Sequence, residues 1–362
     1  MHKPFYIQLL LLFTFSTAAS GQIYTELPSF GSLHDVKDTV ELTVIGDVMM
    51  HSEQLQKDCH PFLEKVSHKL QKADLCIANL EFALGGEPYS GYPAFSTPDY
   101  YPFYLAEDCG IDVFLTANNH VLDRGSAGLE RTVEIYDRMA DSLGISYTGI
   151  ASSETAYQEN TPLIIRRKGI KIAIINFTYG TNNPQKKDWP RVQRMDKDEL
   201  SEAFRTARGK ADFILVFPHW GEEYQLTHSP LQEEWAGWLV DQGADAIIGT
   251  HPHVVQDRTS IKGVPVFYSL GNAVSNMSAT NTRLELAVTL RFTRNRISGK
   301  REALEPEVNF MWCTLPGRLT DNYSTVFIKE WAGRRGDWLI PSDYDNMLQT
   351  YERVKAATGI DD

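Results

Sequence analysis

The chain has 362 residues, of which 42% are hydrophobic, 23% charged and 11% aromatic. This excludes disordered, collagen-like and low-complexity classes and leaves enough chain to bury a large core. With 35 Lys and Arg against 47 Asp and Glu the formal net charge is −12, which argues against nucleic acid as a partner and against docking on anionic lipid. An anionic substrate stays compatible, because charges beyond roughly 8 Å are screened at physiological salt and the local site decides.

The first residues read as an address. Met1 to Pro4 carry one Lys, Phe5 to Ala19 are nearly all apolar, and small residues follow at Ala18, Ala19, Ser20 and Gly21. The spacing predicts a cleaved signal peptide over 1–21 and an exported domain over 22–362, periplasmic or extracellular. The apolar run is shorter than the ~20 residues that span a bilayer, so no stable membrane insertion is expected after cleavage. Cys59, Cys76, Cys109 and Cys313 form no CxxC pair, and their pairing stays open.

From residue 40 onward strands and helices alternate. Val40–Ile45 is β-rich and ends in Gly46-Asp47. Ser52–Leu70 has helical spacing, Asp74–Ala78 is a short buried strand, and Pro98–Cys109 reads as loop then helix. Val113–Thr116 is a strand followed by a helix from about Ala127 to Leu143. Leu163–Arg167 and Ile172–Phe177 form a hairpin around Lys168-Gly169. Asp196–Arg208 is helical, Phe213–Phe217 a strand, Pro230–Gln242 a helix, and Ala246–Ile248 and Val264–Tyr268 further strands. Leu284–Phe292, Glu307–Trp312 and Ser324–Lys329 look like antiparallel strands, and Asp343–Ala356 like a closing helix completing the architecture. The pattern is that of one α/β layered domain.

Asp, Glu, Asn and His gather where these strands end: Asp47; Asn79 and Glu81; Asn118, Asn119 and His120; His219; and His251 and His253. In open α/β sheets the carboxyl ends of the strands form the ligand-binding rim. Carboxylates, an amide oxygen and imidazoles without thiolate suit Mn²⁺, Fe²⁺ or Zn²⁺, with Mg²⁺ also compatible. Six or more donors are too many for one tetrahedral site and suit two ions about 3.5–4 Å apart sharing a bridging group. Each residue alone has a bland reading: Asp47 as a helix N-cap, Asn118-Asn119 as a turn pair, Asp123 as a turn or cap.

The runs GDVM at 46–49, NLE at 79–81, ANNHVLDRG at 117–125, HWGEEY at 219–224, GTHPHVVQ at 249–256 and YSLGN at 268–272 together resemble the CapA family, associated with bacterial poly-γ-glutamate capsule synthesis and similar to calcineurin-like metallophosphoesterases. The resemblance covers roughly residues 40–275. It implies a four-layer α/β/β/α sandwich. By position, Asp47 matches the first metal ligand and Asn119 the Asn of an Asn-His motif that coordinates the second metal. His120 matches the adjacent His that contacts phosphate or protonates the leaving group. His219 matches the lone metal-binding His, and His251 and His253 the Gly-His-x-His pair.

Two departures stand out. The usual Asp-x-His is Asp47-Val48-Met49, with His51 close enough to substitute if the loop bends back. The usual Gly-Asp is Ala78-Asn79, and the bridge is assigned to Glu81. Asn79, Asn118, Glu222 and Asn272 are expected to orient ligands or line the pocket. Two functions follow: an exported metal-dependent hydrolase, phosphoesterase-like, acting on a small or polymeric anionic substrate; or a non-catalytic metal-binding accessory of the capsule-synthesis machinery. An amide bond is a further target that two metals can polarise.

Overall fold

The computed structural model describes residues 37–362, so the expected signal peptide lies outside the described residues. The chain runs β1 (Lys37–Val48), α1 (Pro61–Leu70), β2 (Leu75–Leu80), α2 (Tyr100–Glu107), β3 (Val113–Leu115), α3 (Gly125–Leu143) and β4 (Ser146–Thr148). Strands β1 to β4 pair in parallel, each crossover passing through a helix. The helix expected from Ser52 begins only at Pro61. Proline lacks the N–H that a helix interior needs, so it stands in the first turn, and only a 3₁₀ turn at Gln54–Gln56 precedes it.

The middle of the chain adds β5 (Ile150–Ala151), α4 (Glu154–Asn160), β6 (Leu163–Arg167), β7 (Ile170–Thr178), β8 (Arg191–Val192), α5 (Lys197–Lys210), β9 (Phe213–His219), α6 (Pro230–Gln242), β10 (Ala246–Ile248), β11 (Arg258–Ile261) and β12 (Val264–Phe267). The β6–β7 hairpin turns at Lys168 and Gly169, with φ of 47° and 82°, as expected. A Ser229–Gln232 capping box starts α6 and left-handed Gly243 ends it. The remainder is β13 (Asn272–Val274), β14 (Leu284–Asn295), β15 (Arg301–Ala303), β16 (Glu307–Thr314), β17 (Ser324–Phe327), α7 (Ile328–Trp331) and α8 (Pro341–Thr358). The last expected strand therefore stops at Phe327 and the chain turns helical.

One nine-stranded sheet has the order β17-β16-β14-β1-β2-β3-β4, with β13 beside β1 and β15 beside β14. The second, six-stranded, runs β11-β12-β10-β9-β7-β6. Three apolar layers explain why they stack. Successive side chains of a strand point to opposite faces. On the outer face of the first sheet Cys76, Ala78 and Phe114 meet Phe62, Leu105, Leu129 and Tyr136 of α1 to α3. On its inner face Leu42, Val44, Ile77 and Leu115 meet Ile172, Ile174, Leu215 and Phe217 of the second sheet. The far face of that sheet buries Ile175, Val216 and Ile247 against Leu200 and Phe204 of α5 and Trp235 and Leu239 of α6. The architecture is the expected α/β/β/α sandwich.

Helix α8 joins the middle layer through Tyr344, Met347, Tyr351 and Val354, with Tyr351 edge-on to Phe310 of β16. A buried bidentate pair from Arg283 to Asp343, at 2.7 and 2.6 Å, fixes its first turn. The four cysteines are free and buried, acting as small hydrophobes rather than staples. Among the described residues no helix is long and apolar enough to cross a membrane.

Candidate metal centre

The site is built at the carboxyl ends of β1, β2, β3, β9 and β10, where both sheets bring their strand ends to one rim. A β-bulge places the first residue. Ile45 pairs with Ala78 and Asp47 with Asn79, so Gly46 is the extra residue of β1. Gly46 also sits where β1 crosses the 271 turn: a Cβ there would lie 2.1 Å from the Gly271 carbonyl oxygen. Its N–H donates to Glu285 Oε1 at 2.5 Å, and the Asp47 N–H donates to the Gly271 oxygen at 2.9 Å. Gly46→Ala is therefore expected to cost about 2–3 kcal/mol of unfolding free energy, read as a lower urea midpoint.

Asp47 lies inside β1 and is no helix cap. Its Oδ1 accepts from Asn79 Nδ2 at 2.7 Å and its Oδ2 from the His251 N–H at 3.2 Å. The Asn79 amide thus turns its nitrogen to Asp47, while its oxygen faces the Asn118 amide at 3.5 Å. Asn118 braces the turn after β3, donating to the Leu80 carbonyl at 2.8 Å and accepting from the His120 N–H at 3.2 Å. The side chain of Asn119 projects the other way, its Oδ1 2.8 Å from His219 Nε2.

Glu81 is the centre of the arrangement. It is fully buried, and neither carboxyl oxygen has a hydrogen-bond partner. Its Oε1 lies 3.7 Å from His219 Nε2 and 3.8 Å from His253 Nε2. Two groups of donor atoms, each within 4.8 Å of one another, share this carboxylate: Asp47, Glu81 and His219, and Glu81, His251 and His253. Burial, reinforced by the Asp47 carboxylate, pushes Glu81 well above the usual carboxyl range.

The histidines are prepared as neutral donors or held by acids. Burial, with His251 next to it, holds His219 well below the ordinary imidazole value. His251, buried beside His253, falls to about 3, and its Nδ1 has no partner. Burial works against charge on His253, but Glu81 and Asp47 outweigh it and raise it to about 9. Asn272 fixes the ring of His253. Its amide nitrogen donates to the Thr282 carbonyl at 2.9 Å, so its oxygen accepts from His253 Nδ1 at 2.9 Å and leaves Nε2 facing Glu81. His251 and His253 both hold positive φ, 100° and 58°, on either side of Pro252, a strained backbone of the kind found at functional sites.

These residues fit a divalent cation. Burying a carboxyl group without a hydrogen bond is costly, and neither oxygen of Glu81 has one. A cation between it and the converging imidazoles relieves that cost, and the oxygen and nitrogen donors suit Mn²⁺, Fe²⁺ or Zn²⁺.

His120 stands at the rim of this cluster. Its Nδ1 lies 2.6 Å from Asp123 Oδ2, whose second bond is to the Phe95 N–H at 2.8 Å. Nε2 is left to meet a ligand. Phe95 packs edge-on against the ring at 4.7 Å.

A model of the family described as bacterial capsule synthesis protein PGA_cap matches residues 41–277, more than half of the chain. The chain belongs to the PGA_cap family. Among curated relatives, it is 29% identical over 266 residues to the capsule biosynthesis protein CapA of Bacillus anthracis, covering 69% of this chain but only 63% of that protein. It is 28% identical over 305 residues to the PGA biosynthesis protein CapA of Bacillus subtilis strain 168, covering 80% of this chain and 76% of that one. Among solved structures, a phosphatase of Mycoplasma pneumoniae aligns over 75% of this chain and 93% of its own, at 15% identity and a TM-score of 0.43.

Not every candidate reaches the PGA_cap site. Met49, where phosphoesterases carry a His, is buried in the apolar layer under the helices. His51 has its Nδ1 already engaged: it lies 3.1 Å from Gln54 Oε1 and accepts from the Asn276 N–H at 3.2 Å. Glu222 is exposed and lines a groove with Gly221, Leu231 and Tyr179, away from the donor cluster itself. Conversely, the sequence reading passed over several participants. Tyr179 covers His251, ring centroids 4.6 Å apart, and Asn182 Oδ1 accepts from Asn119 Nδ2 at 3.4 Å. Thr250 Oγ1 lies 3.0 Å from His219 Nδ1. Tyr179 and Asn182 follow β7, one more strand end on the same rim, which was the signal available. Asp123 was read as a turn or cap, and its partner three residues away was the signal there.

Proposed function

We propose that this PGA_cap protein is an exported hydrolase that holds two divalent ions through a shared Glu81 and cleaves phosphate esters. The observation that carries the reading is Glu81 itself: a fully buried carboxylate without hydrogen bonds, common to two donor triads. In this reading Asp47, Asn119, His219, His251 and His253 would complete the coordination around the shared Glu81. Divalent ions bound there supply Lewis acidity and lower the pKa of water, so that hydroxide exists near neutral pH.

The chain's own residues do the rest. Asn79 and the His251 N–H hold Asp47 in place. Thr250 and Asn272 fix the rings of His219 and His253. His120 gives a proton to the departing oxygen from Nε2, and Asp123 on Nδ1 stabilises the imidazolium that does so. The test is turnover of p-nitrophenyl phosphate and its bis ester in added Mn²⁺, with chelator as control. His219→Ala should lose one ion per chain and at least about 10²-fold in rate. Wild-type metal content and rate in that variant would overturn the assignment.

The alternative, a metal-binding accessory of capsule synthesis without turnover, is favoured by one observation. Met49 offers no imidazole at a ligand position, and it is buried among apolar side chains. Metal bound stoichiometrically, with no hydrolysis of either ester, would support it.

A further inference from the structure

A cavity of about 710 Å³ opens directly beside the metal-binding residues. Its near wall is continuous with them. Val254 follows His253, and Asn272, which fixes His253, donates to the carbonyl of Thr282, another lining residue. Tyr92 and Tyr224 stand at the mouth, 68% and 53% exposed. Their rings lie 6.4 Å from His120 and 6.2 Å from His253. A phosphoryl group alone would leave this space empty, so the substrate is longer than its reacting centre.

One lining residue carries the charge. In a chain of net charge −12, no carboxylate lines the cavity. Arg353 of α8 is the lining cation, exposed, and among the described residues it makes no ion pair; its one hydrogen bond is to Thr280 Oγ1, at 3.4 Å. The rest of the lining offers neutral amides and hydroxyls, and Asn281 Oδ1 is a buried acceptor with no partner. A guanidinium without a counter-ion, facing a cavity without acids, selects an oxyanion. Arg353 and most of the 276–282 wall lie beyond residue 277, where the family match ends, so this end of the cavity belongs to the C-terminal segment.

We infer that the cavity is the substrate-tail site: the ligand is an elongated molecule with a second oxyanion, carboxylate or phosphate, remote from the group held at the metal centre, and Arg353 determines that preference. The inference rests on the metal-centre reading and deepens it. The probes are hexylphosphonate, which has no tail charge, 6-phosphonohexanoate, which ends in a carboxylate, and hexane-1,6-bisphosphonate, which ends in a phosphonate. Binding to the Mn²⁺-loaded full chain is followed by calorimetry.

Wild type should bind at least one of the two-anion probes about tenfold or more tighter than hexylphosphonate, and which one it prefers separates a carboxylate tail from a phosphate tail. Arg353→Gln should erase the difference and leave hexylphosphonate unchanged, and Arg353→Lys should restore part of it. Equal affinities in wild type, or a preference that survives Arg353→Gln, would overturn the tail site alone. Failure of wild type to bind any of the three would overturn it together with the metal-centre reading.

Discussion

Glu81→Gln should abolish turnover and metal-linked stabilisation while leaving the metal-free fold at least as stable as before. The argument starts from burial. In the metal-free protein Glu81 is held well above the usual carboxyl range by burial and by Asp47, so the neutral acid is favoured. Gln is nearly isosteric with that acid, and its amide replaces a group that already lacked hydrogen bonds. Below about pH 4.3, where Glu81 carries its proton in the native and the unfolded chain alike, unfolding free energy without metal should therefore change by less than about 1 kcal/mol. With metal the variants part. A ligand at one hundred times its Kd stabilises the native state by about 2.7 kcal/mol, and Gln cannot supply the shared negative charge. Thermal unfolding with and without Mn²⁺ reads both quantities at once.

The pH dependence carries a sign. A carboxyl whose folded pKa is raised keeps its proton longer in the native than in the unfolded chain. Its contribution to stability is thus full below the unfolded value, about 4.3, and is lost as pH rises toward the folded one. Metal-free wild type should lose stability relative to Glu81→Gln as pH climbs from about 4.3. The opposite slope would mean that Glu81 is ionised and satisfied without metal.

The second large effect is expected at His120. His120→Ala should keep its metal and lose roughly 10²–10⁴ in kcat, the range for removal of a general acid. Asp123→Asn removes the charge on Nδ1 while preserving shape. It should also lower kcat with metal content unchanged. Loss of metal in His120→Ala equal to that in His219→Ala would make His120 a ligand instead.

Much of this was legible before any fold was available. Strand ends announce themselves, because a β-branched run gives way to Gly, Asn or His, and Asp47, Glu81, Asn119, His219, His251 and His253 all stand at such ends. Their convergence follows from parallel strands placing their carboxyl ends on one rim. What escaped depends on tertiary approach. Glu285 sits in the apolar strand β14 and its role under Gly46 appears only when β1 crosses the 271 turn. His51 looked close enough to replace the missing ligand, but Gln54, three residues on, and the Asn276 N–H claim its ring. Arg353 is one more basic residue on a closing helix until α8 is packed against the 276–282 wall. The helix expected from Ser52 failed for a local reason, since apolar spacing was given more weight than Pro61.

The central claim is that one buried carboxylate serves two metal positions, and counting ions tests it most directly. Purified wild type and Glu81→Gln, loaded with Mn²⁺ and freed of excess by gel filtration, would be measured by elemental analysis against protein concentration. The account predicts about two ions per chain in wild type, the number a shared bridging group implies, and a near-complete loss in the variant. An equal ion count in the two proteins, or no retained metal in wild type, would contradict it.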